Sequence, residues 1–190
     1  MVRLSELPIV GSKRDPDIID VIKAEHGEVA AMLGEIEKLE PGSAKLRDLA
    51  EKLETALGVH ATLEERLFYP RLRDRAEEDD ERVDVFEAYT EHDVMRHLIA
   101  LLKSRRKRDP ERFKAELQVL SESVKHHVRE EESKIFSLAR ELIDSDERAE
   151  LGTKWRKLKA QLMPQARRPR GPRTRVAQNG RKAPKRKAAR

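Results

Sequence analysis

Apolar residues recur at three- and four-residue steps through four successive stretches of this chain, and proline, glycine or a charged run separates each stretch from the next. That period is helical, so each stretch presents one buried face, and four such faces in 190 residues constrain the fold more than any other feature. The first stretch opens at Asp15-Pro16, an N-cap followed by proline at the first helical position, and carries Ile18, Ile22, Val29, Leu33 and Ile36 to about residue 39. Pro41-Gly42-Ser43 makes the turn into a second stripe of Leu46, Leu49, Leu53, Leu57, Leu63 and Leu67, which Pro70 is expected to kink or stop. A charged connection over 73–82 leads to a third helix over 84–106, with Val85, Tyr89, Ile99 and Leu102 inward. Asp109-Pro110 repeats the start signal for a fourth helix reaching about residue 143, whose stripe is Phe113, Leu117, Leu120, Val124, Ile135, Leu138 and Leu142. A shorter amphipathic helix then sets Leu151, Trp155, Leu158 and Leu162 on one face, and Pro164 ends it.

The predicted fold is therefore all-α: an up-and-down antiparallel four-helix bundle over 15–143, with the short fifth helix of 144–163 against its outside. Residues 1–14 form an N-terminal segment, and 164–190 a disordered basic tail. Composition agrees, since 41% charged, 37% hydrophobic and 4% aromatic residues suit long amphipathic helices and not a β-sandwich. No cysteine is present, which removes disulfides, thiolate metal sites, iron–sulfur clusters and cysteine nucleophiles together. No stretch approaches the roughly 18–20 apolar residues of a membrane span, and the first ten residues lack the apolar core of a secretory signal. The expectation is a cytoplasmic protein with no membrane partner.

Four of the six histidines lie inside the stripes, one per long helix: His26, His60, His92 and His127. Glu64 follows His60 by four residues and Glu131 follows His127 by four, so each pair projects from one helical face. A single inward histidine is ordinarily a satisfied core residue. Four imidazoles and two carboxylates in one hydrophobic interior are different, because burying them unpaired is costly and nothing else in the stripes satisfies all six. Two divalent metals bridged by the two carboxylates and capped by the imidazoles would do so at once. His126 with Glu130 has the same spacing but lies about 100° round the helix from the stripe, and His97 points away from His92, so both read as flanking residues. Tyr89, three residues before His92, reads as core, with a hydrogen bond near the metals as the alternative.

Over residues 15–143 the chain resembles the hemerythrin-like, or HHE cation-binding, proteins. The elements that carry the resemblance are His26, the run His60-x-x-x-Glu64-Glu65 with Phe68-Tyr69-Pro70 behind it, Glu91-His92, and His127-x-x-x-Glu131-Glu132 with Ile135-Phe136. The resemblance implies a non-haem di-iron centre in which Glu64 and Glu131 bridge two iron ions and His26, His60, His92 and His127 are terminal ligands. Oxygen-carrying members place a second histidine one turn after the third-helix ligand, where this chain has Arg96. That replacement removes a ligand, favours an open coordination position, and predicts a guanidinium directed at the site or at a bridging glutamate. Other chemistries lack their residues: there is no Glu-x-x-His pair of the ferritin-like kind in the stripes, no His-Glu-x-x-His, no Gly-rich phosphate loop and no Gly-x-Ser-x-Gly.

The function expected from this resemblance is binding of, or reaction with, a small oxidant such as O2, peroxide or NO, in stress response or sensing. Carrier, sensor, peroxide-decomposing enzyme and iron reserve all fit, and no catalytic residue is assigned. A second expectation comes from charge. Residues 165–190 hold 11 Lys or Arg and no acid, which leaves 30 minus 36, or −6, on residues 1–164. Within the tail, 167–173 resembles an AT-hook except that Pro172 follows Gly171 where the hook has arginine. Nonspecific contact with DNA or RNA phosphates fits this composition, as does a merely solubilising tail. In that alternative the bundle is a structural or metal-responsive body.

Overall fold

The structure, a computed structural model, describes residues 16–105 and 108–163, with the side chains of 16–104 and 108–163. Among them there are helices and no strand. Helix α1 (Ile18–Glu37) is capped by Asp17, whose carboxylate accepts from the Ile19 amide at 2.9 Å. The start is two residues later than the Asp15-Pro16 signal implied, because Asp17 itself is the side chain that reaches the open amides. At Gly42 the φ of 77° in the following turn calls for glycine, and Ser43 then caps α2 (Ala44–Leu63) by accepting from the Leu46 amide.

Pro70 does not stop this helix. After Leu63 the chain makes one π-helical turn, Glu64–Phe68, in which the Tyr69 amide bonds five residues back to the Glu64 carbonyl, and α3 (Tyr69–Arg73) continues with Pro70 in its first turn. There the missing proline N–H costs nothing. The wider turn rotates the buried face, so Phe68 and Tyr69 are fully buried whereas Leu67, expected inward, is only half-buried. Helix α4 (Asp79–Arg105) begins before the expected residue 84: Glu81 reaches back to accept from the Glu77 and Glu78 amides, and three acids favour the positive end of the helix. Asp109 caps α5 (Pro110–Glu130) as expected. A second π-turn, Glu131–Ile135, passes into α6 (Phe136–Leu142), and Asp144 caps α7 (Ser145–Leu162).

The four long helical stretches pack in chain order, and α5 returns against α1, closing the four-helix bundle. Helix α7 lies on α1 and α2. Gly152 is required at that contact, because a Cβ there would sit 1.9 Å from the Pro16 carbonyl oxygen. Two apolar clusters fill the interior. One gathers Ile18, Ile22, Phe68, Tyr69, Phe136 and Trp155, and the other Leu33, Leu46, Leu53, Phe113, Leu117 and Leu120. The inward histidines separate residues of these two clusters along α1, α2, α4 and the continuous stretch from α5 to α6, so the polar groups form one layer with a hydrophobic seal on either side. Among the described residues no helix is long and apolar enough to cross a membrane. The N-terminal segment of 1–14 and the expected tail disorder of 164–190 lie outside the described residues.

Candidate metal centre

Both π-turns begin at the glutamate that follows an inward histidine by four residues, and such insertions in helices are frequent at functional sites. Two groups of potential ligands result: His26, His60, Glu64 and Glu131 in one, and Glu64, His92 and His127 in the other, with the ligand atoms of each within 4.8 Å of one another. The structure thus brings together all six residues singled out from the sequence, each at most 6% exposed. Glu64 lies between the groups, with Oε1 at 2.9 Å from His60 Nε2 and Oε2 at 3.1 Å from His92 Nε2. Glu131 has one oxygen against an imidazole and the other against a hydroxyl. Its Oε2 is 3.1 Å from His26 Nε2, while its Oε1 accepts from the Tyr69 hydroxyl at 3.1 Å.

Every imidazole is held from behind by a glutamate on another helical stretch. Nδ1 of His26 meets Glu132 at 3.0 Å, that of His60 meets Glu25 at 2.9 Å, that of His92 meets Glu65 at 2.9 Å, and that of His127 meets Glu91 at 2.8 Å. A carboxylate only accepts, so each Nδ1 carries a proton, and each Nε2 faces into the layer with a lone pair or, where the ring is protonated, a second proton. Around unprotonated rings, lone pairs meet other lone pairs. His26 Nε2, His60 Nε2, both Glu64 oxygens and Glu131 Oε2 are buried without a hydrogen-bond partner, despite contacts near 3 Å, and His92 Nε2 lies 3.2 Å from His127 Nε2. Such an arrangement is repulsive until positive charge enters it, as protons on the imidazoles or as metal ions, and the donor set therefore fits metal ions. Imidazole and carboxylate, with no thiolate, suit iron and other first-row divalent metals.

The electrostatics show the same demand for positive charge. Burial by itself would lower the His60 pKa, but Glu64 and Glu25 outweigh it and push it up to about 10; Glu64 and Glu65 likewise push His92 up to about 9. Burial would raise Glu64, yet His60 and His92 hold it well below the usual carboxylate range. Burial and the Glu131 charge drive the Tyr69 hydroxyl well above its ordinary value, so it stays a donor.

His97 is exposed, and His126, more than half exposed, touches Glu91 at 3.2 Å, so neither joins the layer. The Arg96 guanidinium reaches neither Glu64 nor Glu131. It is exposed and pairs with Glu65 at 2.7 Å and Asp93 at 2.6 Å, one step behind His92. Tyr69, and not Tyr89, donates to the layer; the Tyr89 ring packs edge-on against Tyr69. Sequence reasoning also gave no role to Glu25, Glu65, Glu91 and Glu132, although each adjoins one of the six in the chain. Those Glu-His and Glu-Glu neighbours were the available signal. Trp155 and Lys159, which donate to Glu25 at 2.7 and 2.9 Å, had none.

Comparison with known proteins gives the same result as the geometry. A relative from Nostoc sp. described as a DNA nickase is 29% identical over 150 residues, 79% of this chain, but the chain spans only 41% of that protein's length. The crystal structure of a hemerythrin HHE cation-binding domain-containing protein from Mycobacterium kansasii superposes with a TM-score of 0.66 over 77% of this chain and 87% of that one, at 22% identity, a likeness of fold. The family model of the hemerythrin HHE cation-binding domain matches residues 17–139, which include all six inward residues. The chain belongs to the hemerythrin HHE cation-binding domain family.

Proposed function

We propose that the bundle holds two iron ions in a di-iron centre, and that this cytoplasmic protein binds or reacts with one small oxidant there, O2, peroxide or NO. The observation that carries this reading is a cavity of about 20 Å³ beside the four imidazoles, walled by Val29, Leu57, Ala61, Met95, Val124 and Val128. A space of about 10–15 Å³ admits one water-sized molecule, so a diatomic or peroxide fits there. The wall offers no hydrogen-bonding side chain apart from the histidines, which suits a weakly polar ligand. Six protein ligands for two metals leave coordination positions open, and a bound iron pair supplies the electrons that such ligands exchange. The chain's own residues orient the imidazoles through four carboxylates, donate a hydrogen bond from Tyr69 to Glu131, and exclude bulk water. A part in oxidative-stress response or sensing accords with this chemistry.

Metal analysis and optical spectra of the iron-reconstituted full chain test the proposal. About two irons per chain with bands that shift on adding azide or NO are expected. A chain that holds no iron, or holds it with bands unmoved by either ligand, overturns it.

A second reading is favoured by the basic segment 165–190 together with the relative described as a DNA nickase: the chain associates with nucleic acid through phosphate contacts. Gel-shift titration of the full chain against a chain ending at residue 163, at two salt concentrations, tests it. Salt-sensitive binding by the full chain alone is expected, and equal binding by both or by neither sinks it.

A further inference from the structure

Among the described residues six large hydrophobic side chains are markedly exposed, and four of them lie on one helix: Val83, Phe86, Val94 and Leu101 of α4, between 41% and 61% exposed. At 100° per residue they fall, with Thr90 and His97, within a sector of about 80°. The sector is opposite the buried side of the same helix, where Val85, Ala88, His92, Met95, Ile99 and Leu102 face the bundle. Thr90 turns its hydroxyl back to the Phe86 carbonyl at 2.8 Å, and His97 takes no part in the metal layer. The result is an apolar stripe along the back of a 27-residue helix about 40 Å long. A stripe of this kind on a soluble protein marks an interaction surface.

The charges of α4 say what covers it. From Asp79 to Asp93 there are seven acids and one base, 1 minus 7 or −6, while residues 94–105 carry three bases and no acid, +3. A second α4 laid parallel would bring acid onto acid along half its length. Laid antiparallel, it brings the acidic half of each helix onto the basic half of the other. The apolar stripe obeys the same two-fold. With the axis passing beside residue 92, Val83 faces Leu101 of the second copy, Thr90 faces Val94, and Phe86 packs beside His97. A surface complementary to itself under a two-fold rotation is what a closed homodimer requires.

We propose that α4 is the interface of a two-fold homodimer, a second copy of this chain packing antiparallel through Val83, Phe86, Val94 and Leu101. The metal layers then lie on the inner sides of the two paired helices, separated by the interface and closed to exchange of ligands between copies.

Light scattering on the eluting full chain gives the mass, and cross-linking gives the orientation, since the natural chain has no cysteine. The wild type is expected to elute as a dimer, and Phe86→Glu to weaken it at least about tenfold with helicity and metal content unchanged. Upon oxidation, a mixture of Val83→Cys and Leu101→Cys proteins is expected to give a linked heterodimer, while neither protein links to itself. A wild type that is monomeric at every concentration, a dimer that Phe86→Glu leaves intact, or Val83→Cys linking to itself overturns the proposal.

Discussion

The two halves of the metal layer use the same device with different support. In each half two imidazoles are backed by two glutamates, yet Glu25, behind His60, is buried and receives Trp155 and Lys159 from α7, more than a hundred residues away in the chain. In the other half Glu65, behind His92, is held by Arg96 on the bundle's own surface, and Glu91, behind His127, by the exposed His126. A carboxylate about nine-tenths buried with three donors has less water at hand to replace a lost partner than one paired with an exposed side chain. Four helices suffice to aim the His92 side, while the His60 side depends on a fifth. That helix lies beyond the matched region of 17–139.

The largest effect is expected from removing the residue common to both halves. Glu64→Ala is expected to abolish metal binding at both positions, because its two oxygens face His60 and His92 separately. Glu131→Ala is expected to lose first the metal on the His26 side. Metal-to-protein ratios after desalting check this, and equal losses in the two variants would show that Glu131 bridges as Glu64 does.

Next in size are the supports. Glu25→Gln and Trp155→Phe are expected to weaken metal affinity about 10–100-fold on the His60 side, the usual effect of disturbing a ligand's hydrogen-bonded carboxylate. Arg96→Gln is expected to change it less than about tenfold, because water can solvate Glu65 in its place. Chelator competition measures each. An effect of Arg96→Gln as large as that of Trp155→Phe would erase the distinction between buried and exposed support.

In the metal-free chain His60 and His92 titrate near 10 and 9, above the ordinary 6.5. Their protonation therefore contributes stability that is fully present below about pH 6.5 and is lost as pH rises through 9 and then 10. Metal ions must displace those protons, so affinity rises with pH over the same window, with proton release on binding. Melting curves of the metal-free chain from pH 7 to pH 10 are expected to move to lower temperature, and those of the loaded chain to move less. The smallest effects belong to the flanking histidines. His97→Ala and His126→Ala are expected to leave metal content unchanged and to alter stability by no more than about 0.5 kcal/mol, as surface substitutions do. Loss of metal in His126→Ala would mean that the Glu91 support is as demanding as that of Glu25.

The order of residues alone carries which faces are buried, where most helices begin, and which six side chains share one interior. Helical period and capping are local properties: His60 and Glu64, or Asp109 and the Arg112 amide, are placed by a single turn of backbone. Two local features escaped it, because an inserted residue in a π-turn leaves no mark in the apolar spacing. Leu67 has inward spacing where Phe68 and Tyr69 are the buried residues, and Pro70, expected to kink or stop the helix, follows a widened turn that lets the helix continue. Which helix supplies each partner across the layer depends instead on how the helices pack. Periodicity tells that Glu25 lies next to an inward histidine in the chain, but His60, on the next helix, is the imidazole that it holds, and Trp155 and Lys159 reach it through the docking of α7. Tyr69 sets Glu131 apart from Glu64 in the same way, by a contact across 62 residues. Such pairings depend on the axial offset and rotation of packed helices, and those are set by how the two apolar clusters fill, with no trace in any one stripe.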